Sequence, residues 1–191
     1  MITAVVATDK NYGIGYNGGL LISIKEDMKH FSRATSGGYV IMGRKTYESL
    51  PKRPLKNRIN VIITSSGTDK MEDASMDKPV FVHMDDVKKW LIEVHNENMR
   101  VKKEKSDDKT ASQEKKVSII GGGQIYKELL PFCEQILITK IFKAFDNVDT
   151  YFPNLDSMPQ WDFFFAGDVL ESDGIKFQYR KYKNLKIQKK I

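Results

Sequence analysis

Residues 119–130 read IIGGGQIYKELL: the end of an apolar run, three successive glycines, then helical spacing. Two readings fit Gly121, Gly122 and Gly123. Glycine alone enters positive φ without steric cost, so the run could be a tight strand-to-helix turn. A backbone without side chains also lets a flat, anionic molecule come into contact with the chain. The segments on either side of the run decide what surrounds it.

Working outward, short apolar runs alternate with amphipathic segments. Residues 1–8, 39–43, 59–66, 78–83, 117–120 and 134–141 are rich in Val and Ile and read as buried strands. Residues 23–35, 44–50, 84–97 and 124–132 read as helices. In the first, Ser23 and Glu26 have the spacing of a capping box, and Ile24, Met28 and Phe31 share a face. In the third, Val87, Trp90, Leu91 and Val94 do so. The segment GIGYNGG, residues 13–19, is glycine-rich and is expected to be an exposed, mobile loop. WDFFFA (161–166) and IKFQYRKY (175–182), separated by the turn ESDG, read as an antiparallel pair. Alternating strands and helices predict one α/β domain over residues 1–191. Its mostly parallel central sheet has eight strands, an antiparallel C-terminal edge and about four flanking helices. Residues 96–116 stand apart. Twelve of these 21 residues are charged and almost none is large and apolar, which predicts a flexible surface insertion.

Composition narrows the function classes. One cysteine, Cys133, excludes an internal disulfide. The start of the chain lacks the pattern of a signal peptide, and no apolar run is long enough to span a bilayer; a cytoplasmic protein is expected. Of the +6 net charge, much lies in RKYKNLKIQKKI, six Lys/Arg with no acid. This reads as a solvated final strand, and no nucleic-acid partner is expected. His30, His83 and His95 are scattered, so no metal site is expected.

In a parallel α/β sheet, ligands bind beyond the carboxyl ends of the strands. Three such ends carry suitable groups: Gly43, Arg44, Lys45 and Thr46 after one strand, Thr64, Ser65 and Ser66 after another, and the glycine run after a third. Together they suggest a ligand with two or more phosphates lying across the strand ends. The usual G-x-G-x-x-G fingerprint is absent. Asp27 has two readings. It is either an acid placed favourably near a helix N-terminus, or a carboxylate turned into an apolar cleft with Phe31. In the cleft it would grip an aminopyrimidine-like edge through paired hydrogen bonds.

In order along the chain, TAVVA with GIG, MGRKTYESL, RPLKNRINVIITSS, IIGGGQIYKELLP and VDTYFP resemble the motifs of the dihydrofolate reductase family, including its M-G-R-x-T-x-E-S signature. The resemblance implies reduction of dihydrofolate to tetrahydrofolate by hydride from NADPH, in a monomeric enzyme of one-carbon metabolism and an antifolate target. It implies that Asp27 anchors the pterin and assists protonation of N5, with Thr139 supporting it. Val5, Val6, Ala7, Met28, Phe31, Leu50 and Leu55 would line the pocket, with Arg53, Ile120 and Tyr126 also at the substrate, and Arg58 would clamp the glutamate carboxylate. NADPH would be held by Ala7, Ile14, Gly15, Gly43 to Thr46, Thr64 to Ser66, Gly121, Gly122, Gly123, Gln124, Ile125, Tyr126 and Thr150. Thr64 and Ser65 would read the 2′-phosphate, and a Gly-Gly bond would be cis.

The chain departs from the family's pattern in places. Leu20-Leu21-Ile22 replaces the usual L-P-W, so the N–H that orients a water is lost, and Lys25 replaces a proline. These changes bear on loop closure and proton delivery, and weaker antifolate binding is expected. Gln124 stands where the family has a second phosphate-reading cation, leaving Lys45 to compensate. Two rival readings are a ribosylaminopyrimidine reductase of flavin synthesis on the same scaffold and a non-catalytic folate- or nucleotide-binding protein.

Overall fold

The computed structural model describes residues 1–76, 78–104 and 113–188. In chain order its elements are β1 (Ile2–Thr8), β2 (Gly13–Tyr16), β3 (Gly19–Leu20), α1 (Lys25–Thr35), β4 (Tyr39–Gly43), α2 (Arg44–Ser49), β5 (Ile59–Ile63) and β6 (Val80–Val82). They continue with α3 (Met84–Glu104), β7 (Val117–Ile119), α4 (Gly123–Leu129), β8 (Gln135–Ile141), β9 (Thr150–Tyr151), β10 (Trp161–Ser172) and β11 (Ile175–Asn184).

Eight strands form one sheet in the order β10-β11-β8-β1-β7-β4-β5-β6. Every pair from β8 to β6 is parallel, and β11 and β10 add an antiparallel edge, as the sequence predicts. The parallel strands are buried on both faces, which is why they read as unbroken apolar runs. On one face, Ile2, Ala4 and Val6 of β1 join Val87, Leu91 and Val94 of α3 and Ile125 and Leu129 of α4 in the larger core. On the other, Ile24 beside α1 packs with Ile141 and Phe177, and Phe31 of α1 packs against Val40, Met42 and Ile120.

Three local expectations change. Helix α1 starts at Lys25 with Ile24 as N-cap and no side-chain cap, so Ser23 and Glu26 do not form the capping box. Residue 24 is instead held by burial of its side chain. The glycine-rich stretch 13–19 is not a structureless loop. β2 pairs with β3 and β9 in a small antiparallel sheet. Asn17 and Gly18, both at positive φ, make the two-residue turn between Tyr16 and Gly19, the geometry for which Asn-Gly is suited. The same device, Asp173-Gly174, joins β10 to β11.

The third change is in the charged stretch 96–116. Its first nine residues continue α3, and residues 105–112 lie outside the described residues. Asn98 and Val101 extend the buried stripe of Val87, Leu91 and Val94 at helical spacing. The Asn98 side chain brackets Lys115, donating to its carbonyl at 2.9 Å and accepting from its N–H at 2.8 Å. Lys102 lies 3.5 Å from both Glu114 and Glu134.

At the end of β5, Thr64 donates its N–H to the Val82 carbonyl at 3.0 Å. Gly67, just beyond, presses its Cα against the backbone of Val82; a Cβ there would meet the Val82 carbonyl carbon at 2.5 Å. Backbone cannot yield as a flexible side chain does. Gly67→Ala is therefore expected to cost about 2 kcal/mol and to lower the melting temperature by roughly 4–8 °C in a chain of this size. Calorimetry against the parent protein checks this.

Candidate active site

Asp27 lies in the first turn of α1, where the helix crosses β1 and β8. Its Oδ1 accepts a hydrogen bond of 2.5 Å from the hydroxyl of Thr139 on β8. Register places Thr139 beside Ala7 of β1 on one side and Tyr179 of β11 on the other. Burial pushes the Asp27 carboxyl above its usual range, opposed by the Thr139 hydrogen bond and by His30 one turn along. Of the two sequence readings for Asp27, the structure has the side chain turned in toward the sheet.

From Asp27 an apolar strip runs along α1. Phe31, Leu50, Leu55 and Tyr47 pack around buried Val40, Met42 and Ile120. Beyond it lies Arg58, 9% exposed, held from two sides. Its Nη1 donates to Thr35 Oγ1 and its Nε to the Lys56 carbonyl, both at 2.9 Å, with the guanidinium 6.0 Å from the centre of the Phe31 ring. Thr35 in turn donates to the Phe31 carbonyl at 2.8 Å. Among the described residues Arg58 has no carboxylate partner. Asp27 and Thr35 are eight residues apart on α1, so acid and guanidinium mark the two ends of a strip about 12 Å long.

A second group of residues lies at the other strand ends. Because β7, β4 and β5 are neighbours, the segments that follow them lie side by side: the glycine run, Gly43 to Thr46, and Thr64 to Ser66. Strand spacing makes the row about 10 Å across. The Gly43 N–H donates to the Gly121 carbonyl at 2.8 Å, and the Gly121–Gly122 peptide is cis. Gly121 has φ +116°, and a Cβ on it would meet the Tyr126 ring at 3.2 Å. A Cβ on Gly122 would approach the Thr46 hydroxyl at 3.3 Å, and one on Gly123 would approach Thr150 at 3.1 Å. This is an open backbone floor that any side chain would fill. It fits a dinucleotide laid across the strand ends.

The remaining expected residues fall in different places. Val5 faces the α1 side of the sheet, but the Val6 side chain belongs to the core on the far face. Tyr126 is fully buried; its hydroxyl donates to the Val5 carbonyl at 2.7 Å and its ring stands edge-on to Phe152, so it braces the glycine run from behind. Burial raises its pKa well above normal. Met28 is 40% exposed at the mouth. Exposed Arg53 donates to the Glu48 carbonyl at 2.6 Å. Arg44 pairs with Glu48 at 2.7 Å, whereas Lys45 is exposed and without an ion pair among the described residues. Thr64 and Ser66 share a 3.3 Å contact, and Ser65 is exposed. Gln124 is held by Glu128 at 3.1 Å, and Ile125 is buried. Ile14 packs on the larger core, and buried Gly15 lies close to the Gly19 carbonyl. Thr150 donates to Asp149, whose other oxygen accepts the Asn17 N–H, both at 2.7 Å.

Several residues around the site have no mark in the sequence reading. Asp9, buried, accepts N–H groups from Asn11 and Gly13 at 2.7 Å and from Phe145 at 3.3 Å, and so fixes the entry to β2. Its spacing to Asn11 is that of an Asx turn, a signal present in DKNYG. His30 is three residues from Asp27, a helical spacing that can be read directly. Tyr179 reaches Thr139 only through strand register, which no local signal shows.

A family model described as "Dihydrofolate reductase" matches residues 1–184. The chain is similar to the dihydrofolate reductase of Drosophila melanogaster, with 32% identity over 190 residues, 92% of this chain and 93% of the relative. For that of Aedes albopictus the identity is 32% over 195 residues, 95% and 96% of the two chains. For that of Bacillus subtilis (strain 168) it is 30% over 156 residues, 82% and 77%. With an inward acid, an apolar strip along α1 and an open glycine floor at the strand ends, and with the match running almost end to end, the chain belongs to the dihydrofolate reductase family.

Proposed function

We propose that this chain, as a single domain, reduces 7,8-dihydrofolate to 5,6,7,8-tetrahydrofolate with NADPH. The observation that carries the reading is the pair of charges at the ends of the apolar strip: Asp27, whose pKa burial raises, and Arg58, buried with no carboxylate partner among the described residues. An aminopyrimidine ring at one end and a carboxylate at the other, separated by a flat apolar body, match that pattern. Asp27 would hold the ring edge through two parallel hydrogen bonds, with Thr139 fixing the carboxylate. Arg58 would take the distal carboxylate in its planar fork. NADPH supplies the hydride; the glycine floor, Thr46 and the hydroxyls of Thr64 to Ser66 would hold its phosphates, with Lys45, which has no ion pair among the described residues, as a cation beside them. Ile22, packed with Ala7 and Ile24, provides apolar cover but no N–H, so proton delivery rests on Asp27 and solvent. Because burial raises its pKa, Asp27 holds a proton to higher pH than an exposed acid would.

Asp27→Asn is expected to fold and to lower kcat at neutral pH by about 10²–10⁴-fold, with partial recovery at low pH where the substrate itself is protonated. The same variant should melt no lower than the parent at neutral pH, since it removes a carboxylate disfavoured by burial. Steady-state loss of reduced-nicotinamide absorbance and a thermal melt read both. Full turnover at neutral pH would remove the acid from the mechanism. Arg58→Lys keeps the charge but not the fork, and is expected to raise KM for dihydrofolate about 10–100-fold; an unchanged KM would place the distal carboxylate elsewhere.

For the cofactor, kcat/KM with NADPH should exceed that with NADH, and Lys45→Ala should narrow the gap mainly through KM for NADPH. Equal values for the two cofactors in the parent would overturn the assignment of the 2′-phosphate site.

A further inference from the structure

The Asp27 site contains a second titratable group that the chemistry above does not use. His30 is half-buried on α1, one turn beyond Asp27, and its ring stacks on Tyr179 with centroids 4.1 Å apart and planes inclined by 26°. Tyr179 is paired in register with Thr139, and Thr139 donates to Asp27. His30 and Asp27, three residues apart on α1, thus each meet a residue of one register pair, Tyr179 of β11 and Thr139 of β8. Tyr179 is itself wedged edge-on against buried Phe177, so the imidazole rests on a fixed surface rather than moving through solvent.

We propose that His30 is a positioning residue for the catalytic acid: held against Tyr179, it sets the pH at which Asp27 gives up its proton. The proposal rests on the reading of Asp27 as the site's acid. The charged groups facing His30 are Asp27 and Arg33 on α1 and Lys181 on β11, while Glu26 and Arg33 also act on Tyr179. Burial and the two cations disfavour the imidazolium, and the Asp27 carboxylate favours it. An imidazolium in turn favours the carboxylate form of Asp27. The two protons therefore belong to the pair, and the pH dependence of turnover reports both residues. If His30 only fills space against Tyr179, its charge has no consequence for Asp27.

Two measurements test this, one independent of turnover. The first is an NMR titration of the His30 imidazole, assigned by its loss in His30→Gln, in the parent protein and in Asp27→Asn. Removing the neighbouring carboxylate is expected to lower the His30 pKa by about half a unit or more; superimposable titrations overturn the proposal. The second compares His30→Gln with His30→Arg in the pH profile of kcat for dihydrofolate and NADPH. The fixed cation should bring the alkaline limb to lower pH than the neutral variant, again by about half a unit or more. Coincident limbs overturn it. A parent protein that shows the NMR coupling yet does not reduce dihydrofolate would remove the proposed function and leave the coupled pair standing.

Discussion

The hydrogen bond from Thr139 to Asp27 is the contact on which the site depends. It joins a helix that packs on one face of the sheet to a strand from its centre, and it fixes the carboxylate against the sheet. The bond is possible because Ile24 and Phe31, on the same side of α1, bury into two apolar clusters that set the height and rotation of the helix. Apolar packing thus supplies the position and the polar contact the orientation. A carboxylate left half-buried with a single hydroxyl donor among the described residues keeps unused acceptor capacity.

The glycine floor follows from a different constraint. Placing β7 between β1 and β4 brings Gly121, two residues beyond β7, beside Gly43 at the end of β4, close enough for Gly43 to donate to Gly121. Tyr126 fills the space behind Gly121, Thr46 lies near Gly122 and Thr150 near Gly123. The three glycines are therefore needed by the protein's own packing as well as by any ligand. IIGGGQIYKELL thus makes a tight turn, and the same bare backbone leaves room for a close approach.

The sheet, its antiparallel edge and the four helices were legible because buried parallel strands and amphipathic helices leave strong periodic patterns. The structure places Asp27, Phe31, Leu50, Leu55 and Arg58 along one strip beside α1. Composition misled where it averaged over a pattern. Counting charges across residues 96–116 hid the stripe of Asn98 and Val101 that continues α3, and counting glycines across 13–19 hid the Asn-Gly turn of a hairpin. The alternation of β1 sends the Val6 side chain to the far core. Tyr126 gives its hydroxyl to the Val5 carbonyl, a long-range bond that no local signal shows. The Tyr179–Thr139 pairing depends on register across strands forty residues apart, and no window of sequence carries that information.

The two ends of the strip hold a half-buried acid and a buried guanidinium that do not neutralise each other. Asp27 leans on Thr139 and Arg58 on Thr35, both neutral partners, while burial works against both charges. An arrangement selected for stability alone would pair the charges or replace them with apolar side chains. For Asp27 the penalty depends on pH in a definite sense. Its folded pKa lies above the unfolded value, so the native state binds the proton more tightly and stability falls as pH rises between the two. At neutral pH the protein therefore carries the cost of an ionised acid as well as that of a desolvated guanidinium. A ligand with a hydrogen-bond-donating ring at one end and a carboxylate at the other would complete both groups at once, so the same two residues that weaken the free protein would give it its grip on such a molecule.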